Sequence, residues 1–183
     1  MSYYIRQINR ENWPESDGYV SMDEIDADAL NDIASCENTL SFWCADNSDD
    51  IDNACLAYLA SQDKWISSKK ADRIIEEQEF IVIDEQDIKN ADIISVKEPN
   101  DTYVTSYKDK HRDLQELTVR SIKKMVEIIL DTLKKPDGFI LLSKEHIDKI
   151  FSEAVHNGLI SSEDIDKSRN GKLKAYIKDI EES

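Results

Sequence analysis

The sequence predicts an α/β (or α+β) fold, with a small mixed sheet and helices in the N-terminal half, followed by a mostly helical C-terminal part. Up to about residue 98, short apolar runs rich in β-branched and aromatic residues alternate with amphipathic stretches. Beyond that point most apolar residues recur at helical spacing. The 183 residues include only four glycines and three prolines, too few for the turns of an all-β sandwich or barrel.

The N-terminal elements are predicted from apolar runs and helix caps. Predicted strands cover Tyr3–Ile8, Thr39–Cys44, Arg73–Ile75, Phe80–Ile83 and Ile93–Val96. The continuous apolar run Phe80–Ile83 is typical of a strand that is buried on both faces. Ser21 stands three residues before Glu24, the spacing of a capping box, and predicts a helix. Two more helices are predicted, one after Asn47 and a brief one through about Asn90.

The C-terminal half is predicted to be helical. Its longest helix is expected over about Lys108–Leu133, with Leu114, Leu117 and Met125 on one stripe and His111 exposed on the first turn. Shorter helices are expected after Ser143 and Gly171. The charge balance also changes near Lys97–Asp101, which predicts an acidic α/β domain over residues 1–98 and a helical subdomain over residues 99–183.

Cysteine spacing and hydropathy indicate the compartment. Cys36, Cys44 and Cys55 form neither a disulfide framework nor a CxxC metal motif, so we expect them to stay reduced. No apolar run approaches the roughly 20 residues that a membrane helix needs. The N-terminus lacks the charged and then apolar layout of a signal peptide. These features predict a cytoplasmic protein that does not enter a membrane.

Acidic residues are concentrated in the first half of the chain. Residues 1–100 hold 23 acidic and 8 basic side chains, whereas residues 101–183 hold 16 and 15. Between Glu11 and Asp63 there are 14 acidic residues and no Lys or Arg. This half is therefore not expected to bind nucleic acid directly, because it has almost nothing to neutralise phosphates with. The bias serves solubility, or it forms a binding face for a basic protein.

The leading hypothesis is a non-catalytic binding protein without a cofactor, of the antitoxin-like, immunity-like or inhibitor-like kind, or an accessory subunit of a bacterial defence system. An acidic face would steer a basic partner to it. The candidate residues of that face are Asp23, Asp26, Asp28, Asp32, Asp49, Asp50 and Asp52. A structural subunit is another hypothesis, in which the helical part forms a homo-oligomer or meets a partner through Arg120, Lys123 and Lys124.

Few catalytic motifs fit the sequence. The four glycines are isolated, so there is no GxGxxG motif and no P-loop to hold phosphate, and neither GxSxG nor HExxH occurs. One enzyme hypothesis is a small metal-dependent phosphoester hydrolase. Asp46 and Asp84 each follow a predicted strand, and with Asp87 and Lys89 they could hold a magnesium ion at the sheet edge.

Overall fold

In this computed structural model, residues 1–15, 25–34, 37–67, 74–166 and 170–183 are described. The strands are β1 Tyr3–Gln7, β2 Leu40–Ala45, β3 Ile66–Ser67, β4 Ile74–Ile75, β5 Gln78–Asp84, β6 Ile94–Lys97, β7 His111–Gln115 and β8 Phe139–Leu142. The α-helices are α1 Ala29–Asp32, α2 Ile51–Leu59, α3 Glu85–Asn90, α4 Val119–Leu133, α5 Lys144–His156 and α6 Gly171–Glu181. Short 3₁₀ helices cover Arg10–Asn12, Ser48–Asp50 and Thr105–Lys110.

Six strands form one sheet in the order β6-β7-β2-β1-β5-β8, and β3 pairs with β4 in a separate ribbon. Every pairing of the six-stranded sheet is antiparallel. In the centre, Ile5 lies opposite Trp43 on one side and Val82 on the other. The predicted α/β (or α+β) class is confirmed, and the antiparallel pairing corresponds to its α+β form.

Both faces of the sheet are covered. Successive residues of a strand point to opposite faces, so Phe80 and Val82 join one core cluster while Ile81 and Ile83 join the other. The first cluster also contains buried residues of α2, α5 and α6. The second is filled by α4, with smaller contributions from α1 and α3. The strand Phe80–Ile83 is therefore buried on both faces, as predicted.

An aromatic group lies at the centre of the first cluster. The rings of Trp65 and Phe151 stack with centroids 5.1 Å apart, and Tyr176 packs edge-on against both. The Tyr176 hydroxyl donates to Asp148 over 2.6 Å, which satisfies the polar tip of a buried ring. These contacts join α5 and α6 to the residues that follow α2.

The predicted helix over Lys108–Leu133 is wrong in its first part. Residues 105–110 form a 3₁₀ helix, His111–Gln115 is the strand β7, and the helix begins only at Val119. Leu114 lies opposite Leu40 of β2 and Ser95 of β6, so tertiary pairing determines its conformation. Glu116, whose φ is 55°, ends the strand. His111 is consequently buried rather than exposed on a helix.

A second strand, β8, lies in the half that was predicted to be helical. It pairs with β5, and Phe80 lies opposite Ile140. Gly138 precedes it and approaches α4 so closely that a Cβ would lie 1.9 Å from the Thr132 carbonyl oxygen. The sheet thus takes two of its six strands from beyond residue 98, and the proposed boundary at that position does not coincide with a break in the sheet.

Some predictions fall outside the described residues. These are the capping box of Ser21 and Glu24, the candidate Asp23, the cysteine Cys36 and the first residue of the strand at Arg73. Within the described ranges, no helix combines the length and the apolar character needed to cross a bilayer.

Candidate functional site

The predicted acidic residues lie in two groups. Asp26, Asp28 and Asp32 belong to α1 and the turn before it, and Ala29 of α1 packs into the cluster that α4 fills. Asp49, Asp50 and Asp52 lie at the start of α2, which packs on the other face of the sheet. The two helices that carry the predicted face are therefore separated by the sheet.

In the α1 group, Asp32 has a structural role. Its carboxylate accepts hydrogen bonds from the Trp13 indole at 2.8 Å and from the Asn9 backbone amide at 3.1 Å. Asp26 accepts from the backbone amide of Asp28 at 3.0 Å. Asp26 and Asp28 are exposed, and they are the members of this group that a partner could reach.

At the start of α2, the carboxylates contact other parts of the chain. Asp50 accepts hydrogen bonds from the Tyr107 hydroxyl and, at 3.0 Å, from the Asp46 backbone amide. Asp52 lies 2.9 Å from Nε2 of His146. Acidic side chains are favourable here because the helix dipole is positive at its N-terminus. Asn47 caps the 3₁₀ helix Ser48–Asp50 that leads into α2, and it accepts from the backbone amide of Asp49 at 2.9 Å.

A shallow hollow of about 380 Å³ opens beside these carboxylates, and we call it the acidic hollow. Its lining consists of Asp46, Asn47, Asp49, Asp50, Tyr107 and Lys110. The Lys110 ammonium group forms a salt bridge with Asp46. The hollow therefore combines three carboxylates with one cation that comes from the C-terminal half of the chain.

The carboxylates of the metal hypothesis have separate partners. Asp84 caps α3 by accepting from the Gln86 backbone amide at 2.8 Å, and Asp87 pairs with Lys135 at 2.8 Å. Lys89 pairs with Glu85 at 2.9 Å, and Asp46 has its salt bridge in the acidic hollow. Across the described part of the chain, no three or more His, Cys, Asp or Glu side chains are arranged to hold a metal ion.

Of the three predicted contact residues on α4, one serves the fold. The Lys124 ammonium group donates to the carbonyl oxygen of Ala91, just after α3. Arg120 and Lys123 are exposed on α4. Their role in oligomerisation or partner contact stays a prediction.

A second concavity in the described residues was not predicted from the sequence. It is a cleft of about 910 Å³ over β2 and β7, on the face of the sheet that carries α2. Trp43 and His111 form part of its floor, and its walls come from the end of α2, the β6–β7 connection and the α5–α6 connection. Its charged lining residues are Arg6, Lys64, Asp101, Lys108, Asp164 and Asp166. We call it the β2–β7 cleft.

His111, which lines this cleft, has a hydrogen-bond partner at each ring nitrogen. Its Nδ1 lies 2.8 Å from the Glu98 carbonyl oxygen, which can only accept, so Nδ1 carries the proton. Nε2 is then the acceptor for the Asn100 side-chain amide at 3.2 Å. Burial lowers the pKa of His111, and the hydrogen bond to Glu98 opposes this only in part. The imidazole is therefore a neutral, fully bonded group.

Ser41 of the cleft and the two described cysteines are not activated nucleophiles. The Ser41 hydroxyl donates to Asp113 at 2.7 Å, whereas Nε2 of His111 faces Asn100, so no base takes the serine proton. Cys44 and Cys55 are free, buried thiols, and burial raises both of their pKa values, that of Cys44 to about 12. Thiols of this kind are not thiolates at neutral pH.

The acidic hollow and the β2–β7 cleft are thus two concave places in the described part of the chain, which holds no group of three or more side chains that could bind a metal ion. Any functional assignment rests on the chemistry of these two places. No family model matches the chain, and no similar curated protein or solved structure was found.

Proposed function

We propose that this protein is a non-catalytic binding protein that engages a basic partner through the carboxylates at the start of α2. The observation that carries the proposal is the acidic hollow. Lys110 of the chain itself pairs there with Asp46, while Asp49 remains exposed beside it. A lysine or arginine of a partner would meet these carboxylates through the same kind of charge-assisted hydrogen bond.

The overall charge supports this proposal. The net charge is -16, and no Lys or Arg occurs between Glu11 and Asp63. Such a field speeds the approach of a positively charged surface and rejects other acidic proteins. The partner of matching chemistry is a nucleic-acid-binding protein whose basic, phosphate-reading surface the chain would cover. An antitoxin-like, immunity-like or inhibitor-like protein acts in this way.

Because the sheet separates the two acidic groups, a charge reversal in one group can be compared with the same charge reversal in the other. Asp49→Lys reverses one charge at the acidic hollow, and Asp26→Lys makes the same change on the other face of the sheet. Both side chains are exposed, so neither substitution should disturb the core. We expect Asp49→Lys to weaken partner binding by at least about tenfold, because it places like charges together, and Asp26→Lys to have a much smaller effect.

The experiment captures the partner from an extract of the native host at low and at physiological ionic strength, and then measures its dissociation constant with each purified variant. Binding through exposed charges weakens as salt rises. Equal losses in both variants would mean that only net charge matters. A complex insensitive to salt and to Asp49→Lys would contradict the proposal.

A further inference from the structure

We propose that the β2–β7 cleft binds a small anionic ligand of about nucleotide size, with its phosphate or carboxylate group between Lys64 and Lys108. This site is independent of the proposed partner surface, because the cleft and the acidic hollow have no lining residue in common within the part of the chain that the structure describes. The volume of about 910 Å³ is large enough for such a molecule, since small-molecule pockets commonly measure about 300–1,000 Å³.

The distribution of basic residues is the first argument. The first 66 residues contain only three basic side chains, Arg6, Arg10 and Lys64, and two of them line this cleft. Arg6 is used within the fold, because its guanidinium donates to the carbonyl oxygens of Asp32 and Ser41, each at 2.7 Å. Lys64 lines the cleft and makes no comparable hydrogen bond to a residue that the structure describes.

The second argument is that both lysines of the cleft have their ammonium groups available. Seven lysines of the described ranges form salt bridges with carboxylates, which are Lys89, Lys97, Lys110, Lys134, Lys135, Lys149 and Lys178. Lys64 and Lys108 are exposed, and neither makes a salt bridge or a side-chain hydrogen bond with any residue that the structure describes. In a chain with 39 acidic residues, two such lysines in one cleft can serve a ligand.

The Tyr103 hydroxyl adds a neutral donor to the lining of the same cleft. It accepts hydrogen bonds from the Asp166 backbone amide and from the Asn170 side chain, each at 3.2 Å. Since both contacts use lone pairs of the phenol oxygen, the O–H proton remains for an oxygen atom of the ligand. The lining of the cleft therefore supplies two ammonium groups and one hydroxyl to the oxygen atoms of a ligand.

The carboxylates of the cleft restrict the ligand further. Asp101, Asp164 and Asp166 would repel a molecule that is anionic throughout. Asp164 already accepts from the Ser161 hydroxyl at 3.0 Å. They suit a ligand that carries hydroxyl or amino donors away from its anionic group, as a nucleotide or a sugar phosphate does. The cleft thus favours a ligand with both chemistries over a simple anion.

The test is a calorimetric titration of the full chain with AMP, citrate and inorganic phosphate. We expect AMP to bind more tightly than phosphate. Lys64→Ala with Lys108→Ala should weaken AMP binding at least about tenfold, because the loss of even one of the two charged contacts costs about that much. Lys123→Ala with Lys144→Ala removes the same charge from exposed positions outside the cleft and should leave binding unchanged. Lys64→Arg with Lys108→Arg should retain it.

The same experiment distinguishes a ligand that binds through a phosphate group from one that binds through a carboxylate group. Citrate binding that depends on Lys64 and Lys108, without AMP binding, would assign a carboxylate ligand, and the reverse result a phosphate ligand. Circular dichroism of each variant confirms that it is folded. Failure of all three probes to bind at millimolar concentration would overturn the proposal, and so would binding that survives removal of both lysines.

Discussion

His111 shows how one polar side chain can be accommodated inside the molecule. Its side chain is only 3% exposed, its ring packs edge-on against Trp43 at 5.1 Å, and both nitrogens are hydrogen-bonded. Protonation would place a second proton on Nε2, which accepts from the Asn100 amide, and the new charge would be poorly solvated. This is the physical cause of its lowered pKa.

The lowered pKa predicts a dependence of stability on pH. Below about 6.5, the usual pKa of histidine, the unfolded chain binds a proton at this position that the folded chain does not, so the free energy of unfolding falls as pH decreases. The contribution is complete above that pH and is lost toward the lower pKa of the folded state. His111→Asn keeps an amide donor for Glu98 and removes the titration, so its stability should vary less from about pH 7 to about pH 5.

Urea denaturation at a series of pH values measures this effect. His156→Asn, at an exposed position of α5, is the matched control for the substitution itself. If wild type and His111→Asn have the same slope of unfolding free energy against pH, the imidazole does not remain neutral in the folded protein.

At the scale of elements, local signals in the sequence were sufficient to predict a helix or strand where a capping residue or a long apolar run was present. Ser143 caps α5 as predicted and accepts from the His146 backbone amide at 3.2 Å, whereas Asn47 caps the 3₁₀ helix Ser48–Asp50 that leads into α2. The strand β8 could not be identified in this way, because its four residues stand alone between two helices and become a strand only by pairing with β5. β7 was missed because Leu114 and Leu117 continue the helical stripe of α4.

The candidate site was harder to predict than the strands. The linear density of aspartates indicates an acidic protein, but it contains no information about which face of the sheet α1 and α2 will occupy. The β2–β7 cleft collects residues from Arg6 to Asn170, so no short motif could reveal it. Only pairing across the sheet brings these segments together.

The start of α4 gives a prediction at this scale. Thr118 is the N-cap, and its hydroxyl oxygen accepts from the backbone amide of Ser121 at 3.3 Å. Thr118→Ala should lower the free energy of unfolding by about 1 kcal/mol, whereas Thr118→Asp keeps an acceptor and should be much closer to wild type. Val119→Ala, at a side chain that is 89% exposed, is the control and should change little. If urea denaturation shows the same free energy of unfolding for Thr118→Ala and wild type, the helix extends through this position.

At the scale of the whole molecule, the two halves of the chain complete each other's core. β7 covers one side of β2, and β8 covers one side of β5. The first core cluster contains residues of α2 together with Phe151 of α5 and Leu173 of α6. A change of charge balance near residue 98 therefore divides the sequence at a place where the sheet and the core continue.

This continuity predicts that residues 1–98 do not fold alone. Without the C-terminal half, β2 and β5 lose neighbours and become sheet edges, and the apolar side chains facing α4 and α5 are exposed to water. All three tryptophans, Trp13, Trp43 and Trp65, lie in this fragment, so their fluorescence reports on the fragment and on the full chain alike. We expect a cooperative urea transition for the full chain and none for the fragment, and partial recovery when residues 99–183 are added as a separate chain. A cooperative transition of residues 1–98 alone would show that the N-terminal half is a domain in its own right, which the shared sheet argues against.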